Sequence, residues 1–307
     1  MALRDGYNTP PSYQYLQDIA GGVGSIGTTY YVDCNAGADT NDGMSWESAF
    51  KKLSVALAAS HANIAAGATG WASRNRIFFK GDQTATADGE NLTKLAQKTD
   101  IIGVGSTDYK PQAQLVGNHT IAATVQYLGC RFINVAFKGA VASGGDIFTV
   151  TGQHGLAFIG CTFDGSSTIA ATAAIIATAC SWLTIKGCKF MGAFSDAVIE
   201  LGAGHSDDLV IEGSLIDGAN MGIDIGAATF SAGHYGLIKD NVLSTTLACI
   251  NDASNKVRVI GNRGMTLAAE GVGLAGAVVC AIKFAQDNRF TTSDKNNVIY
   301  PPEGTGA

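Results

Sequence analysis

Basic residues are few in this chain and never clustered. Lys and Arg number 20 against 26 Asp and Glu, a net charge of −6 over 307 residues. That balance argues against a surface built on phosphate contacts, and so against a nucleic-acid partner. Charged residues of either sign make up only 15% of the chain. Proline is scarcer still: five residues, all near the two ends or at Pro111. No apolar run approaches the ~20 residues that cross a bilayer, so no membrane partner is expected. The opening MALRDGYNTPPSYQYL has no apolar core of the kind a secretory signal carries. The sequons at Asn91 and Asn118 are therefore read as without meaning. No Cys-x-x-Cys pair is present, which leaves a zinc site without support. Seven cysteines, an odd number, in a chain without a signal read as reduced thiols.

What the chain has is glycine, 39 residues of it, among small residues and regularly recurring Val, Ile, Leu and Phe. That regularity argues for order rather than low-complexity disorder. One short corner keeps returning: "GCRF" (129–132), "GCTF" (160–163), "GCKF" (187–190), "GSLI" (213–216), "DNVL" (240–243), "GNRG" (261–264) and "DNRF" (287–290). Aligned on the second residue these are Cys130, Cys161, Cys188, Ser214, Asn241, Asn262 and Asn288. The steps between them are 31, 27, 26, 27, 21 and 26 residues. A period of this length carrying short β-rich runs predicts a solenoid. One set of strands precedes the corners: 156–159, 183–185, 209–211, 237–238 and 257–260. A second lies at 147–150, 174–176, 197–200, 222–225, 247–250 and 278–281.

Alternation sets the faces. In Leu183-Thr184-Ile185-Lys186 the two apolar residues point one way and the polar pair the other. Past the bend at Gly187, Cys188 and Phe190 turn inward and Lys189 outward. The same register makes Thr162, Leu215 and Val242 outward residues. Stacked coils sit ~4.8 Å apart, so like residues form ladders along the axis. Cysteines on such a ladder are packing residues, not reactive ones. The Asn ladder that follows satisfies its buried amides by bonding them to one another and to turn backbone. Open strand edges need covers. Residues 45–60, with Trp46, Ala49, Phe50, Leu53, Ala56 and Leu57 at helical period and Ser45 as N-cap, read as a capping helix over the first coil.

The segment Tyr30–Leu53, YYVDCNAGADTNDGMSWESAFKKL, resembles the opening of many right-handed parallel β-helix proteins of the pectin-lyase-like superfamily. The resemblance covers roughly residues 28–60 by motif and 75–290 by coil pattern. It implies an all-β fold: a right-handed parallel β-helix with an N-terminal capping α-helix and extended terminal arms. The expected organisation is an arm over 1–27, the first strand and capping helix over 28–75, the β-helix over 76–292 and a tail over 293–307. Function does not follow from that fold, because the superfamily spans lyases, hydrolases, epimerases, tailspikes and inert structural proteins.

Polygalacturonase-like members carry N-T-D, D-D, G-H-G and R-I-K motifs. Here Ser195-Asp196-Ala197 resembles the first, Gly233–Gly236 the third and Val257-Arg258-Val259 the fourth. The paired aspartates due one repeat after Asp196 are replaced by Ala219-Asn220-Met221-Gly222-Ile223-Asp224. Asp207-Asp208 is a pair, but lies in a turn out of register. Glycoside hydrolysis needs two carboxylates flanking one bond, and Asp196 alone cannot supply both. Glu200 and Asp224 fall on equivalent positions of adjacent coils and read as a solvated face. If the chain is an enzyme, its candidates are Asp196, Glu200, Asp224, His234 and Arg258. His154, His205 and His234 precede strands at similar offsets and read as turn histidines rather than metal ligands. Asp39, Asn41 and Asp42 are weak metal candidates, better explained by Asx turns. Tryptophan is limited to Trp46, Trp71 and Trp182, and one exposed ring is not a sugar platform.

The N-terminal stretch holds Tyr7, Tyr13 and Tyr15 and a Pro-Pro pair, a composition suited to an arm that docks on a partner. The preferred reading is a non-enzymatic structural protein without cofactor, a bacteriophage capsid decoration (cement) protein or other virion component. By analogy it is a homotrimer that binds a capsid or other virion protein and is assembled in the host cytoplasm. The alternative is a carbohydrate-active β-helix enzyme, a polysaccharide lyase or glycoside hydrolase.

Overall fold

In the computed structural model, residues 27–299 are described except 67–72, 83–88, 108–110, 124–126, 140–144, 166–170, 226–227, 253, 255, 267–277, 281–284, 287 and 293–294. The chain winds as a parallel β-helix with three strand faces. Face A stacks Thr29–Asp33, Asn75–Asp82, Thr99–Gly103, Arg131–Ile133, Ala157–Ile159, Thr184–Lys186, Val210–Glu212, Gly236–Lys239 and Val257–Ile260. Face B runs through Ala113–Val116, Ala136–Lys138, Thr162–Asp164 and Lys189–Met191 into the first halves of Leu215–Asp224 and Val242–Asp252. Face C holds His119–Ile121, Phe148–Thr151, Ile175–Thr178, Phe194–Gly202 and the second halves of the two long strands. The predicted strand sets fall on faces A and C.

The period-2 pattern puts one apolar column inside each face. On face B, Phe137, Phe163 and Phe190 stack ring on ring at 4.9 and 4.8 Å. On face A, Phe132 and Phe158 stack at 5.5 Å, nearly parallel. On face C, the column reads His119, Phe148, Ile175, Ile199, Ile223 and Ile250. Nearly all these side chains are fully buried, and each is worth roughly 1.5–3 kcal/mol of transfer free energy.

The corner between faces A and B is made by one left-handed residue per coil: Asn134, Gly160, Gly187, Gly213, Asp240 and Gly261, with φ between 54° and 66°. Glycine or a short Asx side chain tolerates that conformation. The next residue points inward, and register places Val135, Cys161, Cys188, Ser214, Asn241, Asn262 and Asn288 in one column. The assignment of Cys130 to this column is corrected. Cys130 precedes a face A strand and lines up with Leu156, Leu183 and Leu209 at the other corner. "GCRF" copies the spelling of the repeat but sits one strand early, so the 31-residue step spans two different corners. Thr162 stands in the expected outward column with Lys189, Leu215 and Val242, but it is buried there whereas Leu215 and Val242 are exposed.

Helix α1 spans Leu53–Ala66, not 45–60. Ser45 closes a local turn by accepting the Ser48 N–H at 3.2 Å, and Phe50 bridges to Val32 before the helix starts. The first helical N–H groups are capped from a distance. Glu90 accepts from Leu53 N at 2.8 Å and Ser54 N at 3.1 Å, a charged acceptor at the positive helix end. Leu53, Ala56, Leu57, Ser60 and Ile64 face inward. Asn75 ties the helix to the first coil, donating to Ser60 O and Oγ.

At the other end, Lys295–Ile299 pairs antiparallel with Arg289–Thr292, so the expected tail from 293 contributes a strand that covers the last parallel edge. The arm tyrosines Tyr7, Tyr13 and Tyr15 lie outside the described residues, as does Trp71.

Candidate functional site

A polar surface built from neighbouring coils lies on face C and the corner that follows it. Glu200 and Asp224 are in register on adjacent coils, in the column Thr149, Ile176, Glu200, Asp224, Asn251. Asn251 Nδ2 donates to Asp224 Oδ1 at 2.8 Å. Asp146 and Asp196 add charge nearby. Partial burial first, then the fields of Asp196, Asp224 and Asp146, raise the Glu200 carboxyl above its ordinary range. Asp196 sits at an irregularity in the pairing, between Phe194 and Ala197, and is exposed.

The other two enzyme candidates are elsewhere. Arg258 points outward from face A, opposite Leu237. His234 lies in the corner between faces C and A, its Nδ1 3.0 Å from Asp208 Oδ2. The five candidates thus divide among two faces and a corner, and only the acids share a surface. The three histidines are each engaged locally. His154 Nδ1 accepts from Ser181 N at 3.1 Å, and His205 Nδ1 is 3.3 Å from Thr229 Oγ1. In the first loop, Asp39 accepts from Lys52 N, Asn41 donates to Ala49 O, and Asp42 accepts from Met44 N and Ser48 Oγ. These side chains hold turns rather than converge. Among the described residues no group of three or more His, Cys, Asp or Glu is arranged to hold a metal ion.

Buried thiols behave as packing atoms. Burial pushes Cys130 up to about 12 and Cys249 to about 11, and raises Cys161 well above the thiol range. Cys161 and Cys188 point their Sγ atoms at the Phe132 and Phe158 carbonyls at 3.4 Å each. Below them the amide ladder is continuous. Asn241 Oδ1 accepts from Ser214 N, Asn262 Oδ1 from Asn241 N and Nδ2, and Asn288 Oδ1 from Asn262 N and Nδ2, at 2.9–3.0 Å.

One group escaped sequence reading. Register places Trp182, Asp208, Tyr235 and Lys256 in a single column on four successive coils, at the start of face A. Trp182 is 56% exposed and Tyr235 44%. Counting back from the aligned strands would have found the column, but the varying turn lengths hide it. A surface depression of ≈ 560 Å³ near the N-terminal end is lined by residues including Asp33, Lys80 and Gln112. Of its three charged residues, Asp33, Lys80 and Asp82, the first two pair with each other at 3.0 Å.

No family model matches this chain, and no curated protein does. Solved structures do share the winding. The catalytic domain of a GH87 α-1,3-glucanase in complex with nigerose is 15% identical, TM-score 0.48, over 78% of this chain and 43% of that one. A polygalacturonate lyase fused with a self-assembling amphipathic peptide is 14% identical, TM-score 0.47, over 71% and 65%. A tailspike protein mutant of E. coli bacteriophage HK620 in complex with a pentasaccharide is 16% identical, TM-score 0.42, over 72% and 42%. This chain therefore spans less than two thirds of each. The likeness is one of fold and says nothing of this chain's chemistry.

Proposed function

We propose that this chain is a non-enzymatic structural protein of a virus particle, a bacteriophage capsid decoration or other virion component. It docks as a homotrimer on a capsid or other virion protein through its terminal arms and is assembled in the host cytoplasm. The observation that supports this most is how the polar side chains are used. Amides, thiols, turn carboxylates and histidines are engaged in holding the stack. Of the five residues that would serve hydrolysis, only the acids share a surface. A solenoid of this kind makes a stiff rod whose corners and faces serve as contact surfaces.

Two measurements test it. Light scattering on the purified full-length chain should give three times the 31.6 kDa chain mass. Immunogold labelling of particles from the culture carrying the gene should decorate virions. Unlabelled particles together with a monomer would sink the proposal.

A second reading has one observation behind it, the raised carboxyl of Glu200 beside Asp196 and Asp224. It makes face C the site of a polysaccharide lyase or hydrolase. A screen for reducing ends and unsaturated products decides it: turnover that disappears in Asp196→Ala establishes the enzyme.

A further inference from the structure

We propose that the corner column Trp182–Asp208–Tyr235–Lys256 is a binding stripe for a neutral glycan chain lying along the solenoid axis. The inference does not rest on the virion role and stands or falls separately from it.

The argument starts from backbone conformation. In the two coils before Trp182 this column holds Gly129 and Gly155, left-handed at φ 73° and 67° as glycine readily is, and in the coil before those Lys98, left-handed at φ 46°. The same turn conformation is then imposed on Trp182 at φ 59° and Asp208 at φ 56°. A bulky residue at such a φ is strained, and strain kept where glycine would serve points to use. Packing does not explain Trp182, since more than half of its surface is in water.

The rings are also held. Trp182 meets the His154 ring edge-on at 6.1 Å and donates its indole N–H to Asp208 Oδ2 at 3.2 Å. His234 Nδ1 approaches the same oxygen at 3.0 Å. Lys256 Nζ stands 5.5 Å from the Tyr235 ring centre. A platform fixed in this way loses little side-chain freedom when a ligand arrives. Tyr235 follows Trp182 two coils on, so the rings are ~10 Å apart, with a half-exposed carboxylate between them. That alternation of apolar face and polar edge suits a run of pyranoses, which present C–H faces to rings and hydroxyls to carboxylate, imidazole and ammonium. Each sugar of an extended chain advances by about one coil step, so alternate sugars meet the two rings.

Charge selects the class. Asp207 and Asp208 are adjacent, and Lys256 is the one ammonium in the stretch of the column from Trp182 to Lys256, with Lys98 three coils before Trp182. A polyuronate meets net repulsion there, while an uncharged glycan does not.

The test uses the full chain and oligosaccharides of glucose, galactose, mannose and N-acetylglucosamine, one to six units long, with oligogalacturonate beside them. Binding is followed by calorimetry and tryptophan fluorescence. At least one neutral series should bind, more tightly with length up to about the reach of the column, while oligogalacturonate does not. Tyr235→Ala and Trp182→Gly should each weaken binding tenfold or more. Trp182→Gly should also melt no lower than the parent, because glycine is what the two preceding coils carry there. Trp46→Phe should bind as the parent does. The proposal is overturned if no neutral series binds at millimolar concentration, if Tyr235→Ala binds like the parent, or if oligogalacturonate binds best.

Discussion

At the residue scale, neighbours in sequence differ by the direction in which the strand aims them. Cys188 is fully buried against the Phe158 carbonyl, while Lys189 beside it is partly exposed. Cys188→Asp buries a charge with no partner and should cost 4 kcal/mol or more, on the order of the whole stability reserve of many domains. Lys189→Asp should stay within about 0.5 kcal/mol. Thermal melts of the two variants check the face assignment, and equal shifts would refute it. His119 gives a pH signature. It lies in the face C column 4.6 Å from the Phe148 ring centre, and its Nδ1 accepts the Leu92 N–H at 3.1 Å. Burial pulls its pKa down to about 3. Unfolded, the imidazole takes a proton below about 6.5. Between those values the unfolded chain binds the extra proton, so stability rises with pH across the window and is lost as pH falls. The contribution is about 1.4 kcal/mol per pH unit. Urea midpoints between pH 7 and pH 4.5 should fall less steeply in His119→Phe than in the parent.

At the scale of single elements, α1 depends on a side chain far along the sequence. Its first turn has no acidic residue of its own, and Glu90 supplies the acceptor. Glu90→Ala should destabilise by about 1–2 kcal/mol, the usual value of a lost cap. Hydrogen exchange should show the loss first in the amides of Leu53 and Ser54. On face A the buried Asp100 joins Arg74 and Arg131, at 2.6 Å each. Asp100→Ala leaves two guanidinium groups short of a partner beside the first coils. The expected cost is about 3–5 kcal/mol, readable as a drop in denaturation midpoint, and a change under 1 kcal/mol would show the triad to be dispensable. The exposed Lys186–Glu212–Lys239 row on the same face has longer contacts of 3.4 and 3.7 Å and adds little.

At the scale of the whole molecule, each coil touches the coils before and after it, and stability is close to a sum of coil and interface contributions. Excising residues 161–187 joins Gly160 directly to Cys188, which preserves the turn and the inward register. The shortened chain should fold into a β-helix one coil shorter, with the same far-ultraviolet spectrum per residue and a modestly lower melting point. Excising half that length shifts every column to a different face and should leave the chain unfolded.

The repeat, its inward columns, the amide ladder and two of the three strand faces were legible in the sequence. All of these follow from local alternation and from a turn that needs glycine or a short Asx residue, and such rules act within a few residues. The sequence misled where spelling stood in for register. Cys130 wears the repeat's dress at the wrong corner, and residues 45–50 show helical spacing yet form a turn and a bridge. Three-dimensional pairing decided what local rules leave open. It brought Glu90 to the start of α1, set Lys295–Ile299 on the last edge, and aligned Trp182 with Asp208, Tyr235 and Lys256 across four coils. The physical reason is that coil length varies with the turns, while hydrogen bonding between coils is in strict register. Distances along the chain therefore fail to say which side chains share a column, and the stacked backbone does.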